Sequence, residues 1–213
     1  MAVNMLYIKK NVRCVELYAQ GLTAYIIVVE HYIHHSIVQI VATLKQFNYI
    51  AKCSDMEIRV LSKQQAIIRS CTDFDKKKII ISIRDPNNDK AEFNQGNSSI
   101  KDVLYLSFYD ISEETKSIFG GYESMSPIDA ILIRDFVLKW QNEIDEIWVQ
   151  CEMGMSRSAG IAAALMEYFN IDSGYILNRT KYYPNLLCYD LTKNCFREHC
   201  MHPEGASNDT QTI

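Results

Sequence analysis

The spacing of apolar residues changes along the chain, and it marks the elements most cleanly after residue 56. EIRVLS, residues 57–62, reads as a strand. Ser62 followed three residues later by Gln65 is a capping-box pattern, which predicts a helix over residues 63–71. KIIISI, residues 78–83, is a continuous apolar run of the kind found in a central strand of a covered sheet. RDPNND after it reads as a turn, and FNQGNSS, residues 93–99, as a loop. VLYLSF, residues 103–108, predicts the next strand, with a polar loop over 109–114. Ser126 and Pro127 suit the cap and first position of a long helix. Ile128, Ile131, Leu132 and Phe136 step along it with Asp135 and Lys139, which predicts an apolar face near its start. IWVQ, residues 147–150, predicts a short strand, and residues 161–169 a strongly apolar helix. Residues 178–185 are rich in turn formers, 186–200 are helical and amphipathic, and the polar tail from 201 reads as frayed.

The first 55 residues carry a weaker signal. Residues 12–19 fit a strand or a short helix, and 23–33 a strand or a buried helix, with Gly21 as the break between them. Ile37, Ile40, Val41, Leu44 and Phe47 form a helical stripe over residues 35–47. Such a stripe must be covered, so it is expected to pack on the rest of the chain or on a second copy. The division expected is an N-terminal extension at 1–54, a catalytic domain at 55–200 and a flexible tail at 201–213. Strands alternating with helices predict an α/β fold for the domain. It is a three-layer sandwich with a mainly parallel central sheet flanked by helices.

Composition narrows the function classes. The chain has 213 residues, 48% hydrophobic and 23% charged, an ordinary globular balance. Four Pro and eight Gly exclude a linker protein or a collagen-like fibre. Lys plus Arg number 22 against 26 Asp plus Glu, a formal net charge of -4, which disfavours a nucleic-acid-coating protein but not a local anion pocket. The seven cysteines are odd in number and show no C-x2-C pair, so free thiols in a reducing, cytoplasmic setting are expected. The start lacks a signal-peptide layout. The longest apolar run, LTAYIIVV, is far short of the roughly 20 residues that span a bilayer.

One segment carries chemistry. CEMGMSRSAG, from Cys151 to Gly160, follows a predicted strand and opens a helix. Open α/β folds place their sites at the carboxyl ends of strands. A short loop leading into a helix turns backbone N–H groups toward an anion, and the helix end adds a positive field. A cysteine there sits where the thiolate is favoured. Arg157 offers a planar fork for two oxyanion atoms. Cys151, Glu152, Met153, Gly154, Met155, Ser156 and Arg157 are thus a candidate phosphate-binding loop, with Cys151 as nucleophile. Gly154 fits a point of unusual φ or close backbone approach, and Gly160 a close approach of the helix to its neighbour. Ser158 is placed to hydrogen-bond the sulfur.

The stretch VQCEMGMSRSAGIAAAL resembles the HC-x5-R-[ST] signature of cysteine-dependent protein tyrosine and dual-specificity phosphatases, and the resemblance spans residues 58–191. It implies hydrolysis of phosphate monoesters through a phosphocysteine, with phosphotyrosine in proteins as the first substrate class. It also implies a general acid on a loop after an earlier strand, the position Asp110 matches. No metal or organic cofactor is implied. Gln150 stands where the family has His, which implies weaker thiolate stabilisation.

Other readings stay open: a non-protein substrate such as an inositol phosphate or an RNA 5′ end, a silent phosphate-binding module, or arsenate or sulfur chemistry. Oligomeric state is open too. Asp129 reads as a helix cap, Asp102 as preceding its strand, and Asp85 as a turn residue. The lysines at 76–78 read as a solvated connection. Tyr182 and Tyr183 before Pro184 suggest a packed turn, beside which Arg179 and Lys181 are candidates for a cleft edge. His31, His34 and His35, and Cys195, Cys200, His199 and His202, are weak metal patterns.

Overall fold

The computed structural model of the chain describes residues 2–9, 12–19, 22–29, 56–112, 115, 118 and 121–201. The chain divides into two compact units, Met1–Ala51 and Lys52–Ile213. In the first, β1 (Ala2–Lys9), β2 (Val12–Ala19) and β3 (Leu22–Val29) form an antiparallel sheet in the order β1-β2-β3. The strand alternative therefore holds for residues 12–19 and for most of 23–33. The stripe at 35–47 and the early histidines lie outside the described residues.

The second unit is built on β4 (Glu57–Ser62), β5 (Lys78–Arg84), β6 (Ile100–Ser107) and β7 (Glu146–Cys151). The sheet order is β4-β7-β5-β6 and every pair is parallel. Helices α1 (Lys63–Ser70), α2 (Pro127–Trp140), α3 (Arg157–Tyr168), α4 (Gly174–Leu177) and α5 (Leu186–Met201) flank it. This is the α/β sandwich expected from the alternation of elements. The last strand in sequence, β7, is inserted between β4 and β5. Its carboxyl end is therefore supported on both sides.

The side-chain alternation of strands divides the core. Leu61, Ile80 and Trp148 pack with Ala66 of α1 and with Ala91 and Phe93. The alternate residues Ile79, Ile81, Ile147 and Val149 are equally buried and belong to the opposite face. Every residue of α3 from Arg157 to Met166 is buried. Each large apolar side chain so placed contributes about 1.5–3 kcal/mol.

Local signals set the helix starts. In α1, Ser62 Oγ accepts from the Gln65 N–H at 3.2 Å and Gln65 Oε1 accepts from the Ser62 N–H at 3.0 Å. In α2, Ser126 and Asp129 make the same reciprocal pair. For α5 the cap is Asn185, whose Oδ1 accepts from the Cys188 N–H at 3.2 Å.

Three expectations need correction. The buried face of α2 is Ala130, Ile133 and Val137, whereas Ile128, Ile131 and Leu132 are exposed. Both sets fall at helical steps, so period alone did not separate them. Asp102 does not precede its strand: it lies within β6, bonded to Lys139 at 3.1 Å and to Trp140 Nε1 at 3.0 Å. Lys78 is not solvated but fully buried, as the first residue of β5.

Lys78 anchors a charged cluster at the amino ends of the strands. Its Nζ lies 2.6 Å from Asp73 Oδ1, 3.7 Å from Glu146 Oε2, and 4.6 Å from the Trp148 ring centroid. Arg59 pairs with Glu146 and, at 2.7 Å, with Glu57, which also takes Lys76 at 2.7 Å. Burial works to raise the Asp73 carboxyl, but the Lys78 hydrogen bond and the charges of Lys78 and Arg59 outweigh it and hold it below its ordinary value.

Candidate active site

At the opposite edge of the sheet, β7 ends on Cys151 and α3 begins on Arg157. The loop between them is fastened from outside by its carbonyl oxygens. Glu152 O accepts from the Lys63 N–H at 3.3 Å, and Met155 O from the Tyr183 N–H at 3.0 Å. Ser156 O accepts from Asn185 at 3.2 Å and from Gly160 at 2.9 Å. Among the described residues, no N–H of 153–156 donates a hydrogen bond within the chain. Such N–H groups are available to an anion.

Gly154 is required by geometry. Its φ is +69°, and a Cβ there would lie 2.4 Å from the Ser62 nitrogen. Gly160 is required by packing, since a Cβ would lie 2.4 Å from the Asn185 oxygen. These two glycines press the loop onto the end of β4 and α3 onto the start of α5.

The Cys151 thiol is 2% exposed, and its Sγ lies 3.1 Å from Ser158 Oγ. Arg157 is 4% exposed. Its Nη1 donates to the Phe108 carbonyl at 2.7 Å and pairs with Asp85 Oδ1 at 2.7 Å. Among the described residues its buried Nε has no hydrogen-bond partner, and Asp110 Oδ2 stands 3.9 Å away. One edge of the guanidinium is thus fixed and the other still has a donor to give.

Asp110 is docked against this loop. Its Oδ1 accepts from Ser156 Oγ at 2.8 Å and from Asn185 Nδ2 at 2.8 Å. Asn185 Nδ2 also donates to the Ile111 carbonyl at 3.2 Å. Asn185 therefore ties the start of α5, the 151–157 loop and the Asp110 loop together. Because Ser156 Oγ turns to Asp110, it makes no cap for α3.

Gln150 lies across from Ser82 in the β5–β7 register and donates to Ser82 Oγ through Nε2, while among the described residues its buried Oε1 has no partner. It is bound into the sheet beside Cys151. Glu152 places Oε2 3.9 Å from Lys63 Nζ, and Met153, 72% exposed, stands at the mouth of the loop.

The structure brings Cys151, Ser158, Arg157, Ser156 and Asp110 together. It keeps Asp129 in its capping box, where Oδ2 accepts from the Ser126 N–H at 2.8 Å and its Oγ at 2.7 Å. Two site residues were not read as such from sequence. Asp85 is in its turn, as the Asn88 N–H bond to its carbonyl shows, but its carboxylate holds Arg157. Its place just past the carboxyl end of β5 was the available signal. Asn185 was passed over as part of a turn, although an Asn before an amphipathic helix is an N-cap signal.

Cys188, in the first turn of α5, is buried, and burial pushes its thiol well above the ordinary range, with the charge of Asp110 adding to the effect. Among the described residues no group of three or more His, Cys, Asp or Glu is arranged to hold a metal ion. Nor is any described helix long and apolar enough to cross a membrane.

No protein-family model matches the chain, and no curated protein matches it. Solved structures do match in part. The crystal structure of PTPMT1 in complex with PI(5)P shares 16% identity, covering 69% of this chain and 94% of that one, with a TM-score of 0.44. Another crystal structure of PTPMT1 shares 15% identity over the same proportions, with a TM-score of 0.43. Tk-PTP in the active form shares 13% identity, covering 67% of this chain and 93% of that one, with a TM-score of 0.42. At these identities and TM-scores the chemistry has to be argued from the chain's own residues.

Proposed function

We propose that this protein hydrolyses phosphate monoesters through a phosphocysteine formed on Cys151. The observation that carries the reading is a buried thiol at the base of a loop whose N–H groups and Arg157 Nε are unused within the chain. The thiolate attacks phosphorus in line, and the P–O bond to the leaving group breaks. Arg157 and the loop N–H groups hold the equatorial oxygens as charge shifts. Ser158 hydrogen-bonds the sulfur as it attacks and later as it leaves. Asp110 gives its proton to the departing oxygen, then takes one from the water that attacks the phosphocysteine. Asn185 and Ser156 hold Asp110 over the loop for both steps.

The first ester to test is phosphotyrosine in a protein or peptide, as the sequence resemblance implies. A phosphate on a non-protein molecule is the second reading, favoured by a cationic cavity beside the loop. Free thiols at Cys71, Cys151, Cys188 and Cys195 suit a reducing, cytoplasmic setting. The test is turnover of an aryl phosphate and phosphopeptides by wild type and Cys151→Ser. Wild type should turn over and the serine variant should not. Equal turnover in both would remove Cys151 from the mechanism.

A further inference from the structure

A cavity of about 400 Å³ adjoins the 151–157 loop. Met153, Gly154 and Met155 form one wall, so it shares the loop with the candidate active site. Leu61, at the end of β4, and Gln65 and Arg69 of α1 form a second wall, and Lys181 and Tyr182 a third. Its size lies within the range of small-molecule pockets, roughly 300–1,000 Å³.

The charge of this cavity runs against that of the chain. The whole protein is formally -4, yet among the described residues two cations and no Asp or Glu line the space. Among the described residues the Arg69 guanidinium has no ion pair or hydrogen bond. Lys181 Nζ lies 5.1 Å from the Tyr182 ring centroid, which leaves its ammonium donors available. By contrast, Lys63, Lys76, Lys78, Lys139 and Lys193 all have carboxylate partners. Leu61 and Tyr182 add apolar lining beside the cations.

We propose that this cavity is a second anion subsite, and that the substrate is a compact molecule carrying two phosphates. One phosphate sits on the 151–157 loop. The other is held by Arg69 and Lys181, and the carbon frame between them lies against Leu61 and Tyr182. The inference rests on the phosphatase reading and sharpens its substrate class. Arg69 and Lys181 act by binding and not on the reacting atoms.

The experiment is calorimetric binding to full-length Cys151→Ser, which prevents turnover. The probes are phenyl phosphate and phenylene bisphosphate. The bisphosphate should bind on the order of tenfold tighter or more, as expected for added charge-assisted contacts. Adding Arg69→Gln and Lys181→Gln should bring the two affinities together, with the melting temperature checked to show that both variants fold. If phenyl phosphate binds and the bisphosphate gains nothing, the subsite is overturned and the phosphatase reading stands. If the bisphosphate advantage survives both substitutions, the cavity is not its source and the proposal falls. If neither probe binds, the phosphatase reading fails and takes the subsite with it. Co-sedimentation with phosphatidylcholine vesicles carrying a bisphosphorylated headgroup then separates the two sources. Retention lost in the double variant marks a lipid, and tight binding of the soluble probe alone marks a free metabolite; either result supports the subsite.

Discussion

Lys78 and Arg157 are buried cations at opposite edges of one sheet, and they are treated differently. Lys78 opens β5 and is enclosed by Asp73, Glu146 and the face of Trp148. Arg157 opens α3, with one nitrogen held by Asp85 and the Phe108 carbonyl and with Nε left unbonded. Burying a charge is costly unless it is paired and hydrogen-bonded. At the amino edge Asp73 takes the Lys78 ammonium with both its carboxylate and its carbonyl. At the carboxyl edge Arg157 Nε is left without a hydrogen bond among the described residues, beside a loop whose N–H groups are likewise unused there. On the proposed reading, the difference separates a charge kept for structure from one kept for a ligand.

The largest effect should come from the carboxylate that overhangs the incomplete edge. Asp110→Asn should cost roughly 10²–10⁴-fold in turnover of an alkyl phosphate, the worth of general acid catalysis, and much less on an activated aryl phosphate. Asp129→Asn should show no dependence on leaving group, because its carboxylate is engaged in the Ser126 cap. Steady-state rates across esters of different leaving-group pKa decide the matter. A leaving-group-dependent defect in the Asp129 variant and none in the Asp110 variant would reverse the assignment.

Substitution of the two cations tests the comparison itself. Lys78→Met leaves Glu146 and Asp73 short of a partner and should cost about 3–5 kcal/mol of stability, read by urea unfolding. Its turnover below the unfolding transition should change little. Arg157→Lys keeps the charge but loses the fork, and should lower kcat/KM by on the order of 100-fold with a much smaller change in stability. If Lys78→Met abolished turnover in folded protein, or Arg157→Lys chiefly unfolded it, the two edges would not divide the labour in this way.

The smallest effect is a pH dependence at the amino edge. Asp73 is held below its ordinary value of 3.8, so it binds its proton less tightly folded than unfolded. Its contribution to stability is therefore present above that value and is lost as the pH falls through the lowered folded value. The melting-temperature difference between wild type and Asp73→Asn should shrink as the pH is taken from about 5 to below the carboxylate range. A constant difference would mean that the Asp73 contribution is steric.

Sequence made the strands and the loop legible because both depend on near neighbours. The IIIS run of β5 must be covered, and the spacing of Cys151, Gly154, Arg157 and Gly160 meets local demands of a strand–loop–helix turn. What sequence hid depends on distant partners. Lys78 sits in a charged run that looks solvated, and only pairing with β6 and β7 buries it. Asp85 satisfies a turn locally, while its carboxylate serves Arg157, which follows far along the chain. Asn185 reads as part of a turn until Asp110 is brought beside it. The outward face of α2 was misread because Ala130, Ile133 and Val137 offered an equally regular stripe.

The central claim is that Cys151 takes the phosphoryl group. The direct measurement is mass spectrometry of the peptide containing Cys151, acid-quenched during turnover of an aryl phosphate by Asp110→Asn, which should slow breakdown of the intermediate. The account predicts that this peptide gains the mass of one PO₃ group on Cys151 and that the gain is absent in Cys151→Ser. Hydrolysis proceeding with Cys151 unmodified, or with the phosphoryl group on another residue, would contradict it.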